Sequence, residues 1–475
     1  MTLTRKRDLS ITEEKIFYKL VLFVLPLMAA NLLQVFYNAA DMMVVGLSTE
    51  GDAVGAIGVT SPLVHLIINI FTGFAVGANV VIARQLGAGD EESTSRAVHT
   101  SVLMSLLFGG ASALVGCLLC SPVLSLMGAE GQLHTLAVRY TTIYFLGVPF
   151  IALTNYAIAI YRAKGDTKTP LVVLGASGIL NVLLNLFFVL VCGLSVEGVA
   201  LATVIANAVS ALVLLWLLTK DEGACRFSLQ KLRLDRVAFR RIISIGLPAG
   251  VQGALFSLSN LIIQSSILQV NNAICSTDSS FQPVVKGNAA TANLESFVYT
   301  ATNSVYQASI TFVGQNAGAG KYDRVRRAML CCYGFTTAIA LVFGFGMFAL
   351  REPLLALYGI TRGAEGSLTR IAFATAETRM KVMFLTYAAL AWMEVGSGTM
   401  RGLGRSLTST VITMLGACFF RIAWILTVFR AVPTLESIYI SYPISWVLTT
   451  AAFLPCALII IKKERTKLKS REISE

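Results

Sequence analysis

The stretch LVLFVLPLMAANLLQVFYNAADMMVVGL, residues 20–47, decides the reading of this chain. It is longer than the roughly 20 apolar residues that a helix needs to cross a bilayer. It also holds a carboxylate, Asp41. An acid inside an apolar helix costs about 2.5 to 3.5 kcal/mol on insertion scales. Asn31, Gln34, Asn38 and Asp41 follow one another at spacings of three, four and three, so they share one stripe of the helix. An acid with three amides on its own face marks a helix that turns this face to a polar interior and away from lipid.

Apolar runs of similar length recur along the whole chain. Of its 475 residues 55% are hydrophobic and 13% are charged, where a soluble globule carries about 25% charged residues. The fold class is therefore an all-α polytopic membrane protein. The ten-residue alternation of a barrel is absent from the pattern. Twelve spans are predicted, at 16–46, 54–84, 94–120, 132–161, 168–192 and 198–219, then 237–270, 287–317, 324–349, 369–400, 406–430 and 436–461. Residues 1–219 form a first lobe, 220–236 a basic linker, 237–461 a second lobe and 462–475 a basic tail.

The net charge of +12 does not point to nucleic acid, because the basic residues gather in alternate loops. With both termini cytoplasmic, 29 of the 38 Lys and Arg lie on the inner side and eight outside, with Arg421 well inside a span. This bias predicts a multi-pass protein of the cell membrane with both termini in the cytoplasm. Arg5, Lys6 and Arg7 precede an apolar run too long for a signal peptide, so the first span is expected to be retained. The nine cysteines are scattered, and His65, His99 and His134 fall in different spans. No metal-ligand spacing emerges among them, and the Cys117/Cys120 and Cys331/Cys332 pairs read as small packing residues.

The chain is internally repeated. Leu25-Pro26 answers Leu247-Pro248 at an offset of 222. Gly87-Ala88-Gly89 answers Gly318-Ala319-Gly320 at 231, and Arg162 to Gly165 answers Arg401 to Gly404 at 239. Each half has an even number of spans, so both enter from the same side. They are expected to be related by a pseudo-two-fold along the membrane normal, as in transporters that rock two bundles around a central site.

These stretches carry a family resemblance. Phe36 to Asp41, Gln85 to Asp90, Tyr161 to Asp166, Gly314 to Gly320 and Met400 to Gly404 resemble, in this order, the multidrug and toxic compound extrusion (MATE) transporters over essentially the whole length. The resemblance implies a V-shaped pair of six-helix lobes that exports cationic amphipathic compounds in exchange for H⁺ or Na⁺. In the DinF-like branch the cation site uses an Asp on span one, Asn and Asp on span five and a Thr on span six, with a bending Pro on span one. Asp41, Asn181, Thr203 and Pro26 match these positions, with Gln34 beside them. The second span-five acid is Asn185 here, so Asp41 is the site's one carboxylate. If the ion is Na⁺, the resemblance makes Asp41, Asn181 and Thr203 its ligands.

The residues lead to the same place on their own. Ser177, Asn181 and Asn185 are spaced by four, and Thr203, Asn207 and Ser210 form a stripe on span six. Three helices of the first half thus carry a polar face, which must turn to a bundle interior or to water. A carboxylate among amides and hydroxyls can carry a proton or serve as one oxygen ligand of Na⁺. The bland alternative is that Asp41 only joins helices through hydrogen bonds. At offset 222 Asp41 falls on Ile263, and Asn38 on Asn260. Coupling therefore belongs to the first half, through Asp41, Gln34, Asn38, Asn181, Asn185 and Thr203, with Pro26 bending the helix. Phe36, Tyr37, Asn155, Tyr156, Glu295 and Glu394 are candidates for the substrate cavity, and Arg421 for pairing with one of the acids.

The function expected is a proton- or sodium-coupled efflux antiporter working by alternating access. No enzymatic activity and no cofactor are expected, and the partners are a small cationic amphipathic substrate and the lipid bilayer. A monomer is expected, with no nucleic acid bound. Two other readings are a lipid-linked oligosaccharide flippase, which would want a strongly basic cavity, and a membrane-embedded enzyme, which would want convergent His, Ser or metal residues.

Overall fold

The structure, a computed structural model, describes residues 11–45, 53–127, 129–274, 282–363 and 367–474, without the side chains at 38–40, 42, 45, 53, 54, 62, 65 and 471–474. Asn38, His65 and Arg5 to Arg7 thus lie outside what is described, as side chains or entirely. Every regular element among the described residues is helical. Two compact units result: Met1–Val251 with Gly314–Ala319, and Gln252–Val313 with Gly320–Glu475.

In the first unit α1 is Ile16–Val45, α2 Ala53–Gly87, α3 Glu91–Leu126, α4 Gly131–Lys164, α5 Lys168–Leu186 and α6 Val196–Thr219; α5 runs on into a π-helical turn, Phe187–Val191. The hub is α4, which packs against α2, α3 and α6. Of its most apolar window 72% is buried, against 28% for α1, so α4 is a core helix and α1 a peripheral one. Small residues let these helices approach closely, as membrane helices need when no hydrophobic force joins them. A Cβ on Gly109 would sit 2.7 Å from the Pro149 backbone, and one on Gly147 2.3 Å from Val204. The peripheral α1 packs chiefly on α5. There the Thr167 hydroxyl donates to the Phe23 carbonyl at 2.9 Å, just before Pro26, which interrupts the α1 backbone ladder.

The segment between spans six and seven is strapped to α3 and is no loose linker. The His99 ring accepts from the Ser228 amide at 3.0 Å, and the Thr100 hydroxyl accepts from the Asp235 amide at 3.0 Å. Phe227 is buried and stacks on His99 with ring centres 5.4 Å apart. This gives His99 a structural task.

Residues 236–251 of α7 (Arg236–Ile274) and 314–318 of α8 (Pro283–Gly318) belong to the first unit and the rest of both helices to the second, which continues with α9 Tyr322–Ala349, α10 Arg351–Ala356, α11 Leu368–Leu385 and α12 Tyr387–Gly402. Then α13 (Ser406–Thr413) and α14 (Phe420–Trp424) alternate with π segments Met414–Phe419 and Ile425–Phe429, and α15 is Leu435–Ser474. Here α12 is the hub, packed against α15 and α9. Among the described residues ten helices are long and apolar enough to cross a membrane. Of the twelve predicted spans, the two outside that set are α8 and the α11–α12 pair. The 36 residues of α8 reach about 54 Å, so length is not what α8 lacks. Asn, Thr, Ser and Gln dilute its apolar character, while α11–α12 carries Arg370, Glu377, Arg379, Lys381 and Glu394 and breaks at Thr386. The helix α15 also outruns its predicted end at 461 and reaches Ser474, because its last turns carry Lys and Arg, which suit a helix C-terminus.

The repeated Gly-Ala-Gly motif divides its labour. Gly89 and Gly320 take positive φ, 70° and 72°, and turn the chain. Gly87 and Gly318 serve close packing: a Cβ on Gly87 would sit 1.9 Å from the Gln315 carbonyl oxygen, and one on Gly318 2.0 Å from that of Arg84. Asp90 then caps α3 by accepting from the Ser93 amide at 2.9 Å. The Ser93 hydrogen bonds hold the Asp90 carboxyl below the ordinary carboxylate range.

Candidate functional site: a polar cavity in the first unit

The polar stripes of α1, α5 and α6 meet. Gln34, Tyr37, Asp41, Ser177, Asn181, Thr203, Asn207 and Ser210 line one cavity of about 100 Å³. Its apolar lining comes from Ala30, Leu174, Gly178 and Ala206. The helical period dictated this: residues three and four apart fall on one face, and an amide or hydroxyl in an apolar helix must find a partner or water.

Asp41 is held from across the helix interface. The Asn185 side-chain amide donates to its carboxylate, and to the Asn181 carbonyl oxygen at 3.4 Å. The Asn181 amide in turn donates to the Thr203 hydroxyl at 3.5 Å, and that hydroxyl donates to the Val199 carbonyl at 3.0 Å. Asn181 and Asn185 are buried. The Asn185 carbonyl oxygen is buried without a partner. An oxygen left bare at this point is a spare ligand for a hard cation, since a half-turn of the amide exchanges its nitrogen and oxygen. No cluster of three or more His, Cys, Asp or Glu that could hold a metal occurs among the described residues.

Tyr37 closes one wall. Its hydroxyl donates to the Gly175 carbonyl at 3.1 Å. Its ring lies where a side chain on Gly178 would be, 1.8 Å from an ideal Cβ. Sequence reasoning missed this pair, although Gly175-Ala176-Ser177-Gly178 in the middle of a span was a visible sign of close approach. Gln34 also lines the cavity. Phe36 is 57% exposed and lies off that lining. Asn155 donates to the Ile151 carbonyl of its own helix at 2.9 Å, and Tyr156 is fully buried in the packed interior.

The second-unit acids form other networks. Glu295 pairs with Arg379 at 2.6 Å, and Arg379 also donates to the Asn288 side chain at 2.6 Å. Glu394 accepts from the Asn303 amide at 3.2 Å. Arg401 donates to the Gln252 side chain at 2.9 Å and to the Tyr306 hydroxyl. Arg401 is buried, and the Arg379 side chain is 11% exposed. The expected Arg421–acid pair is replaced by an Arg379–Glu295 pair. Hydropathy cannot show this, because a long cationic side chain reaches inward from a helix end.

Known proteins resemble this chain as follows. The family model described as MatE matches residues 26–187 and 254–426. The probable multidrug resistance protein YoeA of Bacillus subtilis (strain 168) is 26% identical over 464 residues, which cover 95% of this chain and 94% of YoeA. The multidrug export protein MepA of Staphylococcus aureus (strain MRSA252) is 26% identical over 270 residues, 57% of this chain and 60% of MepA. Among solved structures, the crystal structure of the MATE P26A mutant superimposes with a TM-score of 0.86 at 19% identity, covering 97% of this chain and 99% of that one. A MOP superfamily transporter from Pyrococcus furiosus Vc1 (DSM3638) gives the same TM-score of 0.86, identity of 19% and coverage of 97% and 99%. At these identities the two structures establish likeness of fold.

Proposed function

This chain belongs to the MatE family, and from that premise we propose that it is an antiporter that exports cationic amphipathic small molecules in exchange for H⁺ or Na⁺. It works by alternating access in the cell membrane, with both termini in the cytoplasm. The multidrug exporters among its relatives support the substrate class. The observation that carries the coupling is the contact of Asn185 with Asp41, which lines one cavity with Asn181 and Thr203.

The contact ties α1 to α5 through one exchangeable group. A proton on the carboxylate weakens the charge-assisted hydrogen bond that Asn185 now donates, and Na⁺ among the oxygens of Asp41, Asn181, Asn185 and Thr203 replaces it. A site that changes its bonding with ion occupancy biases the packing of α1 on α5, and a ligand shifts a conformational equilibrium only by such a difference. Pro26, where α1 lacks a backbone hydrogen bond, is the place where that helix bends most readily.

The test is efflux of a fluorescent cation from vesicles under a pH gradient alone and under a Na⁺ gradient alone, for the parent and for Asp41→Asn. The parent responds to one gradient and Asp41→Asn to neither. Gradient-driven efflux that persists in Asp41→Asn removes Asp41 from the mechanism.

A further inference from the structure

Arg421 is a buried charge that this mechanism does not use. Its side chain is 3% exposed. None of the ion pairs among the described residues includes it, and Glu295 is held by Arg379. Its Nε donates to the Ser445 hydroxyl at 3.0 Å. Its guanidinium lies 4.2 Å from the centre of the Tyr442 ring and 5.9 Å from that of Trp446. A guanidinium in a membrane helix without a carboxylate is costly and marks a functional position, and aromatic faces offset part of that cost. Two π segments, Met414–Phe419 and Ile425–Phe429, bracket it, and such turns gather at functional sites.

The internal repeat says where Arg421 stands. Gly165 and Gly404 end their helices at positive φ, 93° and 77°, and set the local frame at an offset of 239. In the following span α6 and α15 begin at Val196 and Leu435, again an offset of 239, so Thr203, Ala206 and Asn207, which line the first-unit cavity, fall on Tyr442, Ser445 and Trp446. These are the residues that give Arg421 its hydrogen bond and its two ring contacts. The span carrying Arg421 includes the π segment Met414–Phe419, whereas its counterpart is α-helical from Lys168 to Leu186. A π turn closes from i to i+5 and so carries one added residue. Beyond it, Asn181 falls on Arg421. The contacts agree: Asn181 meets Thr203 at 3.5 Å, and Arg421 lies over the ring of Tyr442. Asp41 falls on Ile263, which is buried in an apolar cluster with Ile425 and Tyr439.

We propose that Arg421 is a built-in cation that takes, in the second unit, the place an exchangeable ion takes beside Asn181 and Thr203 in the first. The second unit is thus permanently loaded at this position, and its charge also repels any mobile cation from it. Only the first unit loads and releases an ion. This rests on the reading of the Asp41 cavity as the ion site.

Full-length Arg421→Ala, Arg421→Lys and Arg421→Met test it. Guanidinium chloride at low millimolar concentration, far below denaturing levels, raises the melting temperature of Arg421→Ala by several degrees and leaves the parent unchanged. In vesicles, Arg421→Ala loses efflux by roughly an order of magnitude and guanidinium restores it. Arg421→Lys retains efflux, and Arg421→Met does not. If Arg421→Ala does not fold, the Lys and Met variants carry the test, and equal behaviour of the two overturns the proposal. Absence of any guanidinium effect on Arg421→Ala overturns it. So does a loss confined to substrates bearing a carboxylate, which would make Arg421 a substrate contact. The melting measurement involves no transport. A guanidinium shift together with intact efflux in Asp41→Asn would remove the ion-site reading, and with it the equivalence argued here. A missing shift with Asp41 essential would overturn the built-in cation alone.

Discussion

Gly178→Ala is expected to destabilise the protein, and to stop doing so once Tyr37 is removed. An ideal Cβ on Gly178 lies 1.8 Å from Cε2 of Tyr37. Ordinary contact begins near 3.4 Å, so the ring must retreat by about 1.6 Å. Overpacking of that kind costs about 1 to 3 kcal/mol. The retreat also breaks the hydrogen bond from the Tyr37 hydroxyl to the Gly175 carbonyl, worth about 0.5 to 1.5 kcal/mol. Against these stands the helix preference of Ala over Gly, about 0.8 to 1.0 kcal/mol. The steric and hydrogen-bond losses win, leaving a net cost of about 1 to 3 kcal/mol. In Tyr37→Ala the opposing ring is gone and the helix preference alone is left. There Gly178→Ala is expected to be neutral or to stabilise by up to about 1 kcal/mol. The assay is a double-mutant cycle by thermal unfolding of the purified protein, with efflux measured in parallel. Efflux should fall in Gly178→Ala, because the displaced ring is a wall of the Asp41 cavity. Equal effects of Gly178→Ala with and without Tyr37 would refute the reasoning.

Other perturbations bear on the same architecture. Asn185→Asp sets a second carboxylate beside Asp41, and two adjacent carboxylates hold a proton or a cation between them; efflux titrated with Na⁺ at fixed pH should gain a Na⁺ dependence, and an unchanged ion dependence contradicts the site. Glu295→Gln leaves the Arg379 guanidinium buried without its acid, so the melting temperature should fall as for a loss of about 3 to 5 kcal/mol. Removing both charges in Glu295→Leu with Arg379→Met should cost less than Glu295→Gln alone. Thr167→Val removes the donor to the Phe23 carbonyl next to Pro26. Losing this one hydrogen bond predicts a loss of about 0.5 to 1.5 kcal/mol, measurable by thermal unfolding.

Much of this protein was legible in one dimension. The apolar runs placed the helices, because a bilayer forces every spanning segment to satisfy its own backbone. Duplicated glycines and prolines exposed the repeat. The three-and-four spacing of Gln34, Asn38 and Asp41, and of Ser177, Asn181 and Asn185, put polar groups on faces that had to meet, and four of the six proposed coupling residues line one cavity: Gln34, Asp41, Asn181 and Thr203. Asn185 reaches it through Asp41.

What periodicity cannot carry is the rotation of one helix against another, and therefore the choice of partner. That Asn185 and not Gln34 holds Asp41, that Tyr37 rests on Gly178, and that Arg379 takes Glu295 while Arg421 is left to Tyr442 and Trp446 all depend on contacts between residues far apart in sequence. The π segment at Met414–Phe419 has the same standing: it is a hydrogen-bonding choice that the spacing of residues does not announce. The sequence by itself determined which faces of the helices are polar. Only the tertiary structure decided which residues meet across them, because partner choice is set by helix crossing and side-chain reach, and neither is written in the spacing along one chain.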